Sequence, residues 1–182
     1  RLALILLDIG GGTNLTAENA LKEIVGPSTN TDPPLRNYYA EVSYGTEELD
    51  GRVFGPFQYS LGDCNTSGMP TQFRSMVDQM GGGTFNHYLW YMGSRTSVCG
   101  WSGLGEVGTP TRPANDTWYN GSSSCVVMIQ EPGHNLGMQH SSSITCGGSP
   151  FADNLWSCTH SEYGDKYDTM GGGCYHMNAW QK

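Results

Sequence analysis

The sequence predicts an α/β fold in one domain, with a twisted sheet and helices over about residues 1–140 and a small irregular lobe over about 141–182. Three observations carry this prediction. Apolar, strand-like runs alternate with segments of helical period through the first part, the pattern of a layered α/β sandwich. The Gly-interrupted segment Cys99 to Val107 reads as an edge strand that another backbone approaches closely. The tail loses regular periodicity yet holds three of the six cysteines, so bridges rather than a large core would hold it.

Taken in order, Leu2-Ala3-Leu4-Ile5-Leu6-Leu7 is a continuous apolar run, as an interior strand covered on both faces requires. It is far too short to span a membrane. Gly10 to Gly12 break it, and Thr13 or Asn14 is expected to cap a helix whose apolar face is Leu15, Leu21, Ile24 and Val25. Residues 28–34 form a polar connector. Leu35, Tyr38, Tyr39 and Val42 recur at helical spacing, and Gly45 ends that second helix. Val53, Phe54, Phe57, Tyr59 and Leu61 read as a strand or hairpin, with Gly51, Gly55 and Pro56 implying bends or an edge position. Met69 to Met80 is a third helix with Phe73, Met76, Val77 and Met80 inward, its methionines serving as core. Phe85 to Met92 is an aromatic strand with His87 at its surface. Residues 108–124 read as a loop rich in Gly, Pro, Asn and Ser, and Ser122 to Ser124 can cap a helix beginning near Cys125. Asp168 to Gly173 is a tight turn, with Asp168 as its former.

Composition narrows the function classes. The net charge is −8 and the nine Lys and Arg do not cluster, which argues against nucleic acid or an anionic membrane as partner. An apolar fraction of 37% with five Trp and ten Tyr excludes disorder. Cys64, Cys99, Cys125, Cys146, Cys158 and Cys174 form an even set without a C-x-x-C pair, so disulfides are expected, in pairings the sequence leaves open. Sequons at Asn14, Asn65, Asn115 and Asn120 add to the picture of a secreted glycoprotein. No signal peptide is visible, so the chain reads as a mature or trimmed piece.

The chemistry concentrates in Gln130-Glu131-Pro132-Gly133-His134-Asn135-Leu136-Gly137-Met138-Gln139-His140. On a helix, residues 130 and 134 share one face and can offer two metal ligands, with Glu131 beside the open position as proton acceptor. Gly137 would end the helix and let the chain reverse, bringing His140 to the same ion. Zinc lowers the pKa of a bound water, and a neighbouring carboxylate can take its proton and return it to a leaving amine. Gln130 offers an amide oxygen in place of imidazole, so zinc should be held more weakly than by three histidines. Pro132 deletes a backbone hydrogen bond, so a kink or distortion is expected at 128–132. His87, His160 and His176 are weaker candidates to complete the shell, and Tyr167 or Tyr175 to hydrogen-bond near it.

The motif matches H-E-x-x-H-x-x-G-x-x-H with Gln130 at the first histidine, and Tyr167-Asp168-Thr169-Met170-Gly171-Gly172-Gly173 follows as a Met-turn. On these residues the chain resembles a metzincin, and more narrowly the gametolysin family of green-algal matrix proteases, which carries Gln at that position. Ala40 to Gly45, Cys99 to Gly105 and Trp118 to Gly121 add looser likeness, so it spans most of the chain.

The resemblance implies a secreted endopeptidase cutting matrix or cell-wall glycoproteins, with extended peptide as substrate and zinc, or alternatively copper, as the metal. It implies Gln130, His134 and His140 as ligands, Glu131 as base, Met170 as the residue packed beneath the site, and strand 99–107 as the edge that pairs with substrate. It also implies a metzincin-like fold whose further C-terminal helix would lie beyond Lys182. A second reading is a structural or binding component of an extracellular matrix that has lost turnover; Gln130 and Pro132 motivate it and the retained Glu131 opposes it.

Overall fold

The computed structural model describes residues 1–26, 33–94, 98–109, 111–148 and 154–181. Its centre is a five-stranded sheet in the order β2-β1-β3-β5-β4. The strands are β1 (Leu2–Asp8), β2 (Gly51–Gln58), β3 (His87–Met92), β4 (Gly103–Gly105) and β5 (Asp116–Asn120). All neighbours are parallel except β4, which runs antiparallel to β5 at the edge, with Leu104 opposite Trp118. The apolar run is therefore the strand the sequence predicts, and β2 is a parallel edge strand rather than a hairpin.

Successive β1 side chains enter two cores. Leu2, Leu4 and Leu6 pack with Ile24 of α1 (Ala17–Val25), Tyr38 and Tyr39 of α2 (Leu35–Val42) and Met128 and Ile129 of α4 (Cys125–Asn135). Ala3, Ile5 and Leu7 pack with Phe73 and Val77 of α3 (Gly68–Gly81) and with Trp90 and Trp118. Helices on both faces explain why β1 has no polar alternation.

Several expectations need correction. The first helix is capped by Thr16, whose hydroxyl accepts from Asn19 N, rather than by Thr13 or Asn14; Leu15 is buried ahead of the helix, and Leu21 is exposed. In α3, Met69 is core, but Met76 and Met80 face outward because the inward stripe is Met69, Phe73, Val77 and Gly81. The connector at 28–34 lies largely outside the described residues.

The largest correction is β5, a fully buried strand inside the stretch expected to be a loop. Its polar composition hides it, but the polar side chains at its two ends find partners, although the Trp118 indole N–H between them has none among the described residues. Asp116 accepts from Trp90 Nε1 at 2.8 Å and pairs with Arg74. Asn120 Nδ2 donates to Trp101 O at 2.8 Å and to Cys99 O at 3.1 Å. Asn120 is thus built into the sheet and gives a glycan no way out, whereas Asn14, Asn65 and Asn115 lie at the surface. A buried polar strand is tolerable only when satisfied in this way.

The C-terminal lobe has little regular structure, as expected. Among the described residues it holds a two-stranded ribbon, β6 (Ser143–Thr145) with β7 (Thr159–Ser161), and two 3₁₀ turns, at Leu155–Ser157 and Thr169–Gly171. All six cysteines are paired, as Cys64–Cys99, Cys125–Cys174 and Cys146–Cys158. Among the described residues, no helix is long and apolar enough to cross a membrane.

Candidate functional site

α4 presents the motif residues from a buried position. Gln130, Glu131 and His134 are each less than a tenth exposed. The helix can lie this close to the sheet edge because β4 is nearly bare of side chains. A Cβ on Gly105 would sit 2.6 Å from Glu131 O and 3.0 Å from His134 Cβ, and one on Gly103 would overlap the Glu131 carboxylate. The glycines in 99–107 therefore mark close approach, and the backbone that approaches is the motif helix.

α4 runs through Pro132 without interruption, from Cys125 to Asn135. Gly137, at φ 97°, then turns the chain, with Gly137 N donating to His134 O. The reversal returns His140 to His134, their ring centroids 4.9 Å apart and their planes at 73°.

Hydrogen bonds hold Gln130, His134 and His140. The Gln130 amide nitrogen donates to Met170 O at 3.1 Å, leaving the carbonyl oxygen as the end it can offer. His134 Nδ1 bonds Met138 O at 2.8 Å, which assigns the proton to Nδ1 and the lone pair to Nε2. Burial also lowers the His134 pKa, keeping the ring neutral. His140 Nδ1 meets the Glu162 carboxylate at 2.7 Å, and its Nε2 meets the Tyr163 hydroxyl at 3.0 Å. Glu131 is pushed up to about 7 by burial. With Trp101, Leu104 and Val107 these groups line a cavity of about 670 Å³ along the β4 edge.

Met170 is fully buried beneath α4, its sulfur 2.8 Å from where a Gly133 Cβ would lie. Asp168 forms the turn below, its carboxylate accepting from Met170 N and Asn178 N. The structure thus brings together Gln130, Glu131, His134, His140 and Met170, at offsets the sequence displays.

It does not bring in the substitutes. His87 bonds Asn135 at the far end of α4, His176 bonds Glu41, and His160 is exposed on β7. Tyr167 and Tyr175 are exposed and outside the cavity lining. Sequence reasoning missed Glu162 and Tyr163, which no motif spacing marks; the β6–β7 ribbon places them against His140.

Among the described residues, no three His, Cys, Asp or Glu side chains form a group able to hold a metal ion. The motif's own set is two imidazoles and one amide. A weak-field oxygen beside two nitrogens is a donor set zinc accepts. The back-side bonds to Met138 O and Glu162 are of the kind that orient metal-binding histidines. The atoms these residues could offer a metal are Gln130 Oε1, His134 Nε2 and His140 Nε2, the last once Tyr163 gives up its bond. No protein-family model matches the chain, and no curated protein matches it either.

Proposed function

We propose that this chain is a metal-dependent endopeptidase of metzincin type, resembling the gametolysin family and secreted through an oxidising compartment. The observation that carries the reading is a buried carboxylate, Glu131, in one cavity with two histidines whose far nitrogens are already engaged. Three disulfides agree with an extracellular setting. Gln130, His134 and His140 would hold zinc, with copper as the alternative. A bound metal would supply Lewis acidity at the scissile carbonyl and acidify an attacking water.

The chain's own residues do the rest. Glu131, poised near neutrality, accepts a proton during attack and delivers it to the leaving amine. The Tyr163 hydroxyl stands across the cavity as a donor for negative charge developing on the substrate oxygen. Among the described residues β4 has one partner strand, so its outer edge can pair with an extended peptide of a matrix or cell-wall glycoprotein. The whole is one catalytic domain of two lobes, with the cavity between them.

The test is cleavage of a general protein substrate before and after chelation, with Glu131→Ala alongside. Cleavage lost on chelation, restored by zinc and reduced at least about 100-fold by Glu131→Ala supports the enzyme. Because Gln130 replaces the expected imidazole, a second reading remains, a metal-binding matrix component without turnover. Stoichiometric zinc with no cleavage would establish that one.

A further inference from the structure

In an α-helix the N–H of residue 132 would donate to the carbonyl of residue 128. Pro132 has no N–H, so Met128 O loses its helical partner. Met128 is 2% exposed, so water cannot easily replace that bond. The Tyr119 hydroxyl does, donating to Met128 O at 3.3 Å from the neighbouring strand β5. The next carbonyl, Ile129 O, accepts from the Tyr39 hydroxyl of α2 at 2.7 Å. Both rings are buried, and burial holds both phenols well above their ordinary pKa, so they remain donors. Thr117 Oγ1 lies 3.5 Å behind the Tyr119 hydroxyl and helps to aim it.

These two carbonyls immediately precede Gln130 and Glu131. The helix also lies close against the adjacent strand β4, where Glu131 O and His134 Cβ leave no room for a Cβ on Gly105. We infer that Tyr119 is a positioning residue of this site: its hydroxyl restores from outside the helix the hydrogen bond Pro132 removes, and so keeps Gln130, Glu131 and His134 in register. Tyr39 reinforces the same turn. The inference rests on the metallopeptidase reading for its metal and kinetic readouts only.

Four proteins test it: wild type, Tyr119→Phe, Pro132→Ala and the double variant. Phe keeps the ring, so the fold survives. In the wild-type background, Tyr119→Phe should weaken zinc binding, titrated with the metal alone, by about tenfold. It should lower kcat on a general peptide with KM little changed. In the Pro132→Ala background the residue-132 N–H serves Met128 O, so the same change should cost under about twofold. An equal cost in both backgrounds would show Tyr119 to be a core aromatic and no more. If wild type neither binds zinc nor cleaves, the metallopeptidase reading fails, and the denaturation midpoints of the same four proteins still decide. A fall confined to the background that keeps Pro132 leaves Tyr119 in its role, and equal falls remove it.

Discussion

The two sides of the cavity are held by different means. Gln130, Glu131 and His134 stand on a helix pressed between the sheet and the Met170 turn, where burial sets both position and protonation. His140, Glu162 and Tyr163 stand on a turn and a short ribbon, where hydrogen bonds and one small disulfide loop do the positioning. The helix side carries a carboxylate pushed up to about 7 by burial. The lobe side is more open to solvent, with Glu162 and Tyr163 both exposed. If the proposed function holds, the site pairs a buried base with a more exposed ligand.

The sharpest way to break the comparison is through Glu131. Its folded-state pKa lies above its ordinary 4.5, so the metal-free fold binds its proton more tightly than the unfolded chain. That stability is fully present below about 4.5, is lost as pH rises through about 7, and amounts to roughly 3 kcal/mol. Urea denaturation of the chelated protein from pH 4 to 8 should follow this fall, and Glu131→Gln should flatten it. A pH profile identical in the variant would mean that burial does not tune this residue.

A smaller effect is expected from the lobe. Replacing Cys146 and Cys158 by Ser should cost at most about 2–3 kcal/mol, since the bridge closes a short loop. Hydrogen exchange should locate the loss in residues 141–166 and leave β1, β3 and β5 protected. Loss of protection across the sheet would show the two sides to be one cooperative unit. Smaller again, Tyr163→Phe removes a bond to His140 Nε2 without touching the helix side. Zinc affinity should then stay level or rise by a few-fold, because a competitor for that nitrogen is gone, while kcat falls. A zinc affinity lowered tenfold would mean that Tyr163 supports His140 rather than occupying its metal-facing atom.

Much of this was readable in one dimension. The β1 run, the spacing of Leu35, Tyr38, Tyr39 and Val42, and the offsets from Gln130 to His140 are local patterns, and local geometry turns them into a buried strand, an inward helix face and a shared cavity. The glycines of 99–107 were legible as a close approach, though not what approaches. The outward turn of Met76 and Met80 was not, because a helical stripe can be drawn through more than one set of residues and only packing selects it.

What the sequence by itself determined is the periodicity and the order of chemical groups: an α/β chain, an even set of cysteines, and a carboxylate flanked by an amide and two imidazoles at fixed spacing. Tertiary structure decided which polar groups find partners. It made Asp116 to Asn120 a core strand by supplying Arg74, Trp90 and the carbonyls of Cys99 and Trp101. It set Tyr163 rather than Tyr167 or Tyr175 on His140, chose the disulfide pairs, and gave Met128 O the hydroxyl that lets a proline sit inside the motif helix. The reason is physical. Backbone propensity acts over a few residues, whereas satisfying a buried donor or acceptor depends on groups far away in the chain that only the finished fold brings within reach.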